Sequence, residues 1–264
     1  MTSEAVRRDE GSFASMAKRV RCDILEGALK AGPNGAHLAP SLSCVEILIA
    51  AFEMAKDNGN VILSKGHAGL ALYATMLEMG GMDREAFNTF EAEGGHFPGQ
   101  PSKNTDVGIA YSSGSLGMLL SYACGRALVS DARFFVVIGN GEANEGSVWE
   151  GAMFAGSRRL GNLAVVIDDN HMQADGNSGE VLRCNAAGMF AAADWDVVEC
   201  DGHSVRAIME ALGKQGSKPL AVVAHTVKGK GVSFMENAKE WHHSRLSQAQ
   251  YDKAMQEIGG ACGN

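Results

Sequence analysis

Apolar residues along this chain follow two rhythms. Phe13, Met16, Val20, Ile24 and Leu25 recur at helical spacing within residues 12–30. The segment AGPNGAHLAPS interrupts that pattern. A second helix is expected from the neighbourhood of Ser43 to Met54, since Ser43 and Glu46 have capping-box spacing. Residues 67–80 read as a helix ending at Gly80, and further helical patterns cover about 115–130, 146–160, 186–193 and 204–214. The other rhythm is the continuous apolar run, at 61–64, 134–138, 163–168, 196–200 and 219–225. Uninterrupted apolar strands separated by helices predict an α/β fold. Its sheet is doubly wound and mostly parallel, with helices on both faces. Residues 81–113 read as mostly irregular. The whole chain, 1–264, is expected to be one domain, with N-terminal helices about 11–55 and a C-terminal tail about 226–264.

Composition narrows the function. Hydrophobic content is 45% and charged content 20%, which fits a globular protein. A net charge of −8 argues against a general nucleic-acid binder. No apolar run approaches the ~18 residues that a membrane span needs, and the first residues lack a signal-peptide core. The six cysteines, Cys22, Cys44, Cys124, Cys184, Cys200 and Cys262, form no C-x-x-C pair. They read as buried free thiols, so a cytoplasmic setting is expected.

Candidate chemistry gathers at two strand ends. The run 134–138 ends in Gly139-Asn140-Gly141, and the next in Asp168-Asp169-Asn170. Parallel order brings both ends to one edge of the sheet, where α/β folds place their ligands. The glycines let backbone approach a phosphate, and Asn170 offers a neutral oxygen to a divalent cation such as Mg2+.

The block GNGEANEGSVWEGAMFAGSRRLGNLAVVIDDNHMQADG, residues 139–176, resembles the thiamine diphosphate motif of transketolases. Four other segments are similar to that family. They are HLAPSLSCVEIL, VILSKGHAGLALYATML, GQPSKNTDVGIAYSSGSLG and TVKGKGVSFMENAKEWHH. The resemblance spans about residues 12–245 and implies the N-terminal subunit of a split transketolase. It implies thiamine diphosphate with Mg2+ (or Ca2+ or Mn2+) as cofactors. It also implies a partner chain carrying the pyrimidine-binding domain, at least an α2β2 assembly, and no activity for this chain alone. A two-carbon unit would pass from a sugar phosphate or related donor to an aldehyde acceptor, with the cofactor carrying the carbon–carbon chemistry.

The resemblance also assigns residues. Asn140 stands where the family has a metal-binding Asp, Asn170 matches the metal-binding Asn, and Met172 the residue giving a backbone carbonyl. His67 and His242 match histidines beside the diphosphate, with His243 competing with His242. Gly114 and Leu116 match backbone contacts to the cofactor, and Gly139, Gly141 and Glu142 belong to the same cofactor corner. His37 matches a histidine facing substrate, and Glu145 a carboxylate of the interface between chains. His96, His171, His203 and His225 are expected to be structural or on the surface. Lys228 and Lys230 are open between a solvated turn and a loop closing over the cofactor.

Two residues depart from the family. Asn140 brings no charge to the metal. Gln100 occupies the place of a histidine and can hydrogen-bond without transferring a proton. Alternatives therefore stand beside the transketolase reading. One is acyloin-type carboligation from pyruvate or another α-keto acid. Another is a non-catalytic partner with weakened metal binding.

Overall fold

The computed structural model describes residues 9–55 and 57–259. Five strands form one sheet. They are β1 (Val61–Leu63), β2 (Phe134–Gly139), β3 (Leu163–Asp169), β4 (Asp196–Asp201) and β5 (Leu220–His225). Their order is β1-β2-β3-β5-β4, and every neighbouring pair is parallel. β2 is buried along its whole length, and β3 and β5 are buried except at their last residue, as the unbroken apolar runs require.

The first helices are α1 (Glu10–Lys30), α2 (Leu38–Ser43), α3 (Val45–Met54) and α4 (Gly69–Glu78). After them come α5 (Arg84–Phe87), α6 (Met118–Leu128), α7 (Gly146–Arg158) and α8 (Ser178–Val181). The last are α9 (Ala186–Ala192), α10 (Val205–Gly213) and α11 (Gln248–Ile258). One layer joins α3 and α10 to the sheet, with α1, α4 and α11 packed around them. The other holds α6, α7 and α9, where Trp149 of α7 packs on Phe190 of α9. The fold is thus the expected α/β sheet with helices on both faces. No helix among the described residues is long and apolar enough to cross a membrane.

Two expectations are corrected. Ser43 and Glu46 form no capping box. Cys44 is the N-cap of α3 and no side chain caps it. Ser43 Oγ instead donates to Asp168 Oδ2 at 2.6 Å, and Glu46 takes the Arg21 guanidinium at 2.7 and 2.9 Å. Long-range partners claimed both side chains. Cys44, Cys124, Cys184 and Cys200 are free, but Cys22 is disulfide-bonded. Cys262 lies outside the described residues.

Register fixes where chemistry can sit. Gly139 of β2 pairs with Asp168 of β3, and Asp169 pairs with His225 of β5. The carboxyl ends of the three central strands therefore form a single edge. Side chains alternate along a strand, so Asp168 and Asp169 point to opposite faces of the sheet.

Candidate functional site

Asp168 anchors one side of that edge. Its buried carboxylate accepts from Lys65 Nζ at 2.5 Å, Ser43 Oγ at 2.6 Å, Asn170 Nδ2 at 3.3 Å and Thr226 Oγ1. Burial alone would raise its pKa, but Lys65 and these donors hold it below the usual carboxylate range. Lys65 is raised in turn, because Asp168 outweighs its own desolvation. The pair stays charged and ties β1, β3, α2 and the 226–232 loop together.

Glu142 performs the same service at the end of β2. Its carboxylate accepts from Ser64 Oγ at 2.5 Å, Gly117 N at 2.8 Å and Gly139 N at 3.3 Å. Burial raises its pKa despite those donors. The chain reaches Gly117 through Gly114, whose φ of +139° belongs to a region that side chains avoid. Asn140 is pinned by its Nδ2, which donates to Ser178 Oγ at 2.8 Å. Asn170 is buried, and its Oδ1 accepts from Met172 N at 3.1 Å. Two amide side chains from adjacent strands thus stand at one corner.

Three imidazoles face each other across the cleft. Ring centroids are 5.5 Å apart for His37 and His67, 5.4 Å for His37 and His242, and 5.3 Å for His67 and His242. Burial first, and the neighbouring His243, Lys65 and Lys228 next, push His37 down to about 4. Burial and Lys228 push His242 down to about 3. His67 falls well below its ordinary value, chiefly by burial and then by Lys65. All three are neutral at pH 7, each with one N–H and one lone pair.

Every residue assigned from sequence to catalysis, cofactor or metal lines one cavity of about 370 Å³. His37, His67, Gln100 and His242 stand there with Gly114, Leu116, Gly139, Asn140, Gly141, Glu142, Asn170 and Met172, and Glu145 lies at its edge. His242 is the cleft residue of the His242–His243 pair. His243 is exposed and packs against His37 at 4.5 Å. His96 is exposed and away from this cavity, so it does not stand in for Gln100. Lys228 faces the cavity, donates to Gln173 O at 2.8 Å, and is lowered to about 8, mainly by burial. Lys230 does not line it. His203 is structural as expected, accepting from Val227 N at 2.8 Å and facing Glu46 at 3.2 Å. Sequence reasoning gave no role to Lys65 or Gln173. Lys65 sits inside the LSKGH segment, but its partner Asp168 is remote in sequence.

The cavity suits an anion held with a metal ion. Glycine backbone, Lys228 and imidazole N–H groups surround it, and the Asn140 and Asn170 amides supply neutral oxygens. His242 Nδ1 is buried with no hydrogen-bond partner, an orphan that a bound group at this wall would satisfy. These features define the diphosphate- and metal-binding corner of an α/β coenzyme-binding domain.

The profile of the transketolase thiamine diphosphate binding domain matches residues 53–262. One of the two chains of the apulose-4-phosphate transketolase of Phocaeicola vulgatus is 32% identical over 84% of this chain and 85% of its own length. The 6-deoxy-6-sulfo-D-fructose transketolase subunit SqwG of a Clostridium species is 35% identical over 84% of this chain and 88% of its own. The solved transketolase of Campylobacter jejuni has the same fold. It superposes with a TM-score of 0.82 at 24% identity, over 96% of this chain. The chain spans 43% of that transketolase. The chain belongs to the transketolase thiamine diphosphate-binding family, whose members are transferases, and it corresponds to the N-terminal subunit of the split forms.

Proposed function

We propose that this chain supplies the diphosphate and metal half of a two-chain transketolase site. A partner carrying the pyrimidine-binding domain completes it, at least as α2β2. The reading is supported above all by the convergence of five separate segments on one cavity, with His242 Nδ1 left unpartnered in its wall.

Asn140, Asn170 and the Met172 carbonyl would hold the metal. The backbone of Gly114, Leu116, Gly139 and Gly141 would approach the diphosphate, while Glu142 keeps these segments in register. His67 and His242 would donate N–H to diphosphate oxygens. Added negative charge there raises the proton affinity of every imidazole facing it. When bound, thiamine diphosphate supplies the nucleophilic and electron-accepting carbon that makes a carbon–carbon bond beside a carbonyl labile. His37 would face the substrate and exchange a proton with its oxygen. Gln100 would hydrogen-bond a donor hydroxyl without taking its proton. The substrates named for the two relatives are a phosphorylated and a sulfonated ketose. The donor proposed here is accordingly a ketose with an anionic tail. The proposed setting is the cytoplasm, where the four free thiols suit a reducing environment.

Gln100 favours a second reading, acyloin formation from an α-keto acid, because its site lacks the histidine that meets a sugar hydroxyl. The two readings separate in a donor panel, run with the partner chain, thiamine diphosphate and Mg2+. Xylulose 5-phosphate and other anionic ketoses should donate to aldehydes, and pyruvate should not. Turnover with pyruvate alone would select the second reading. Failure of the complex to bind thiamine diphosphate would sink both.

A further inference from the structure

The same strand ends carry a second set of ligand atoms on the opposite face of the sheet. Asp169 follows Asp168, so alternation turns its carboxylate away from the Lys65 network. Its register partner is His225 of β5, and His225 pairs in turn with Asp201 of β4. Glu199, two residues before Asp201, shares that face. His171 comes back to Asp169 because its backbone is left-handed, with φ at +58°, a conformation rare for a side-chain-bearing residue.

Distances bring these groups to one point. His171 Nδ1 lies 3.3 Å from Asp169 Oδ1, and His225 Nδ1 lies 3.3 Å from Asp169 Oδ2. Ligand atoms of the three residues all fall within 4.8 Å of one another. Zinc bonds to nitrogen and oxygen are about 2.0–2.1 Å, and the edge of such a tetrahedron is about 3.3 Å. His225 is also oriented from behind. Its Nε2 meets Glu199 Oε2 at 2.9 Å, which puts the ring proton on Nε2 and leaves the Nδ1 lone pair facing a carboxylate. Two acceptors at that separation repel unless a cation stands between them. A carboxylate behind a ligating histidine is the usual outer support of a zinc site.

We propose that Asp169, His171 and His225, with Glu199 behind His225, bind a Zn2+ ion. The site is separate from the diphosphate corner and does not rest on the transketolase reading. Two imidazoles and one carboxylate select zinc over Mg2+, which prefers an all-oxygen shell. Asp169 is partly buried while His171 and His225 are exposed, so water can take the fourth position. Zinc here would also hold His171 in its left-handed backbone, between the two residues given to the cofactor's metal.

The test is titration of Zn2+ into the full chain in excess Mg2+, followed by calorimetry, with Co2+ substitution to read the geometry. The expected result is one tight equivalent and a tetrahedral Co2+ spectrum. The His171→Gln/His225→Gln chain should lose that equivalent, while a His67→Gln/His242→Gln chain keeps it. Glu199→Gln alters an exposed side chain and keeps both ligating histidines, so it covers the case in which the double variant does not fold. It should weaken Zn2+ about 10- to 100-fold. Equal binding by Glu199→Gln and the native chain, retention of the equivalent without His171 and His225, or its loss with His67 and His242 would each overturn the proposal.

Discussion

His37 and His242 are neutral imidazoles held in a cationic neighbourhood, and this sets a pH dependence with a definite sign. Both have folded pKa values below the ordinary 6.5, at about 4 and about 3. The unfolded chain therefore binds more protons between 6.5 and those values. Stability is fully present above pH 6.5 and is lost as the pH falls from 6.5 towards 4 and 3. Thermal melts across that range should show a falling melting temperature, and a flatter profile for His37→Gln/His242→Gln. An unchanged slope in the variant would remove the imidazoles as the cause. Asn140 makes a second prediction. Its amide donates to Ser178 Oγ, and a carboxylate in its place could accept from the same hydroxyl. Asn140→Asp should then keep the local bond and tighten Mg2+ binding in the two-chain complex by about tenfold, since hard cations favour carboxylates. Equal Mg2+ affinity for the two chains would refute the charge argument. The site was legible at this scale because its residues sit in short motifs whose order along the chain is intact. Lys65 and Asp168 were not legible as a pair, since 103 residues separate them and only the sheet brings them together.

The elements show why local rules misread Ser43 and Glu46. Their spacing suits a capping box, but Glu46 is consumed by Arg21 of α1 and by His203, which precedes α10. The strands were read correctly because continuous apolar runs have few other uses in a chain of this size. The Arg21 guanidinium does more than neutralise Glu46. Its Nε also donates to Lys230 O at 3.1 Å, and His203 accepts from Val227 N, so this cluster fastens the loop that carries Thr226 and Lys228. Burial works against the Glu46 carboxylate, yet His203 and Arg21 bring it down to about 2. Arg21→Ala would leave that carboxylate buried beside His203 alone, which costs about 3–5 kcal/mol for a broken buried pair. Denaturant unfolding should report that loss. Cofactor affinity should fall as well, since Lys228 loses its fixed backbone. A loss of stability with unchanged cofactor binding would show that the loop is held by other contacts.

At the scale of the molecule, the layer of α6, α7 and α9 carries apolar surface that the described residues leave open. Met118, Leu128 and Val129 at α6 are 59%, 50% and 85% exposed, and Met153 and Phe154 of α7 are 58% and 40% exposed. The two helices pack on each other, with Cys124 of α6 lying against the Gly151 carbonyl of α7. Their outer sides are therefore neighbours. Scattered apolar side chains are ordinary on a protein surface, but several large ones on an adjacent pair of helices mark an association surface. An α2β2 assembly needs such a surface, either between two copies of this chain or against the partner. The positions also permit a clean test, because side chains already in water contribute little to the folding of the single chain. Met153→Glu/Phe154→Glu should leave the melting temperature of the dilute chain within a few degrees. Burying two charges in a desolvated contact, however, is strongly unfavourable. Sedimentation velocity of the mixed chains should show the α2β2 boundary replaced by smaller species, with transfer activity falling in proportion. Full assembly with both charges in place would move the association surface elsewhere on the molecule.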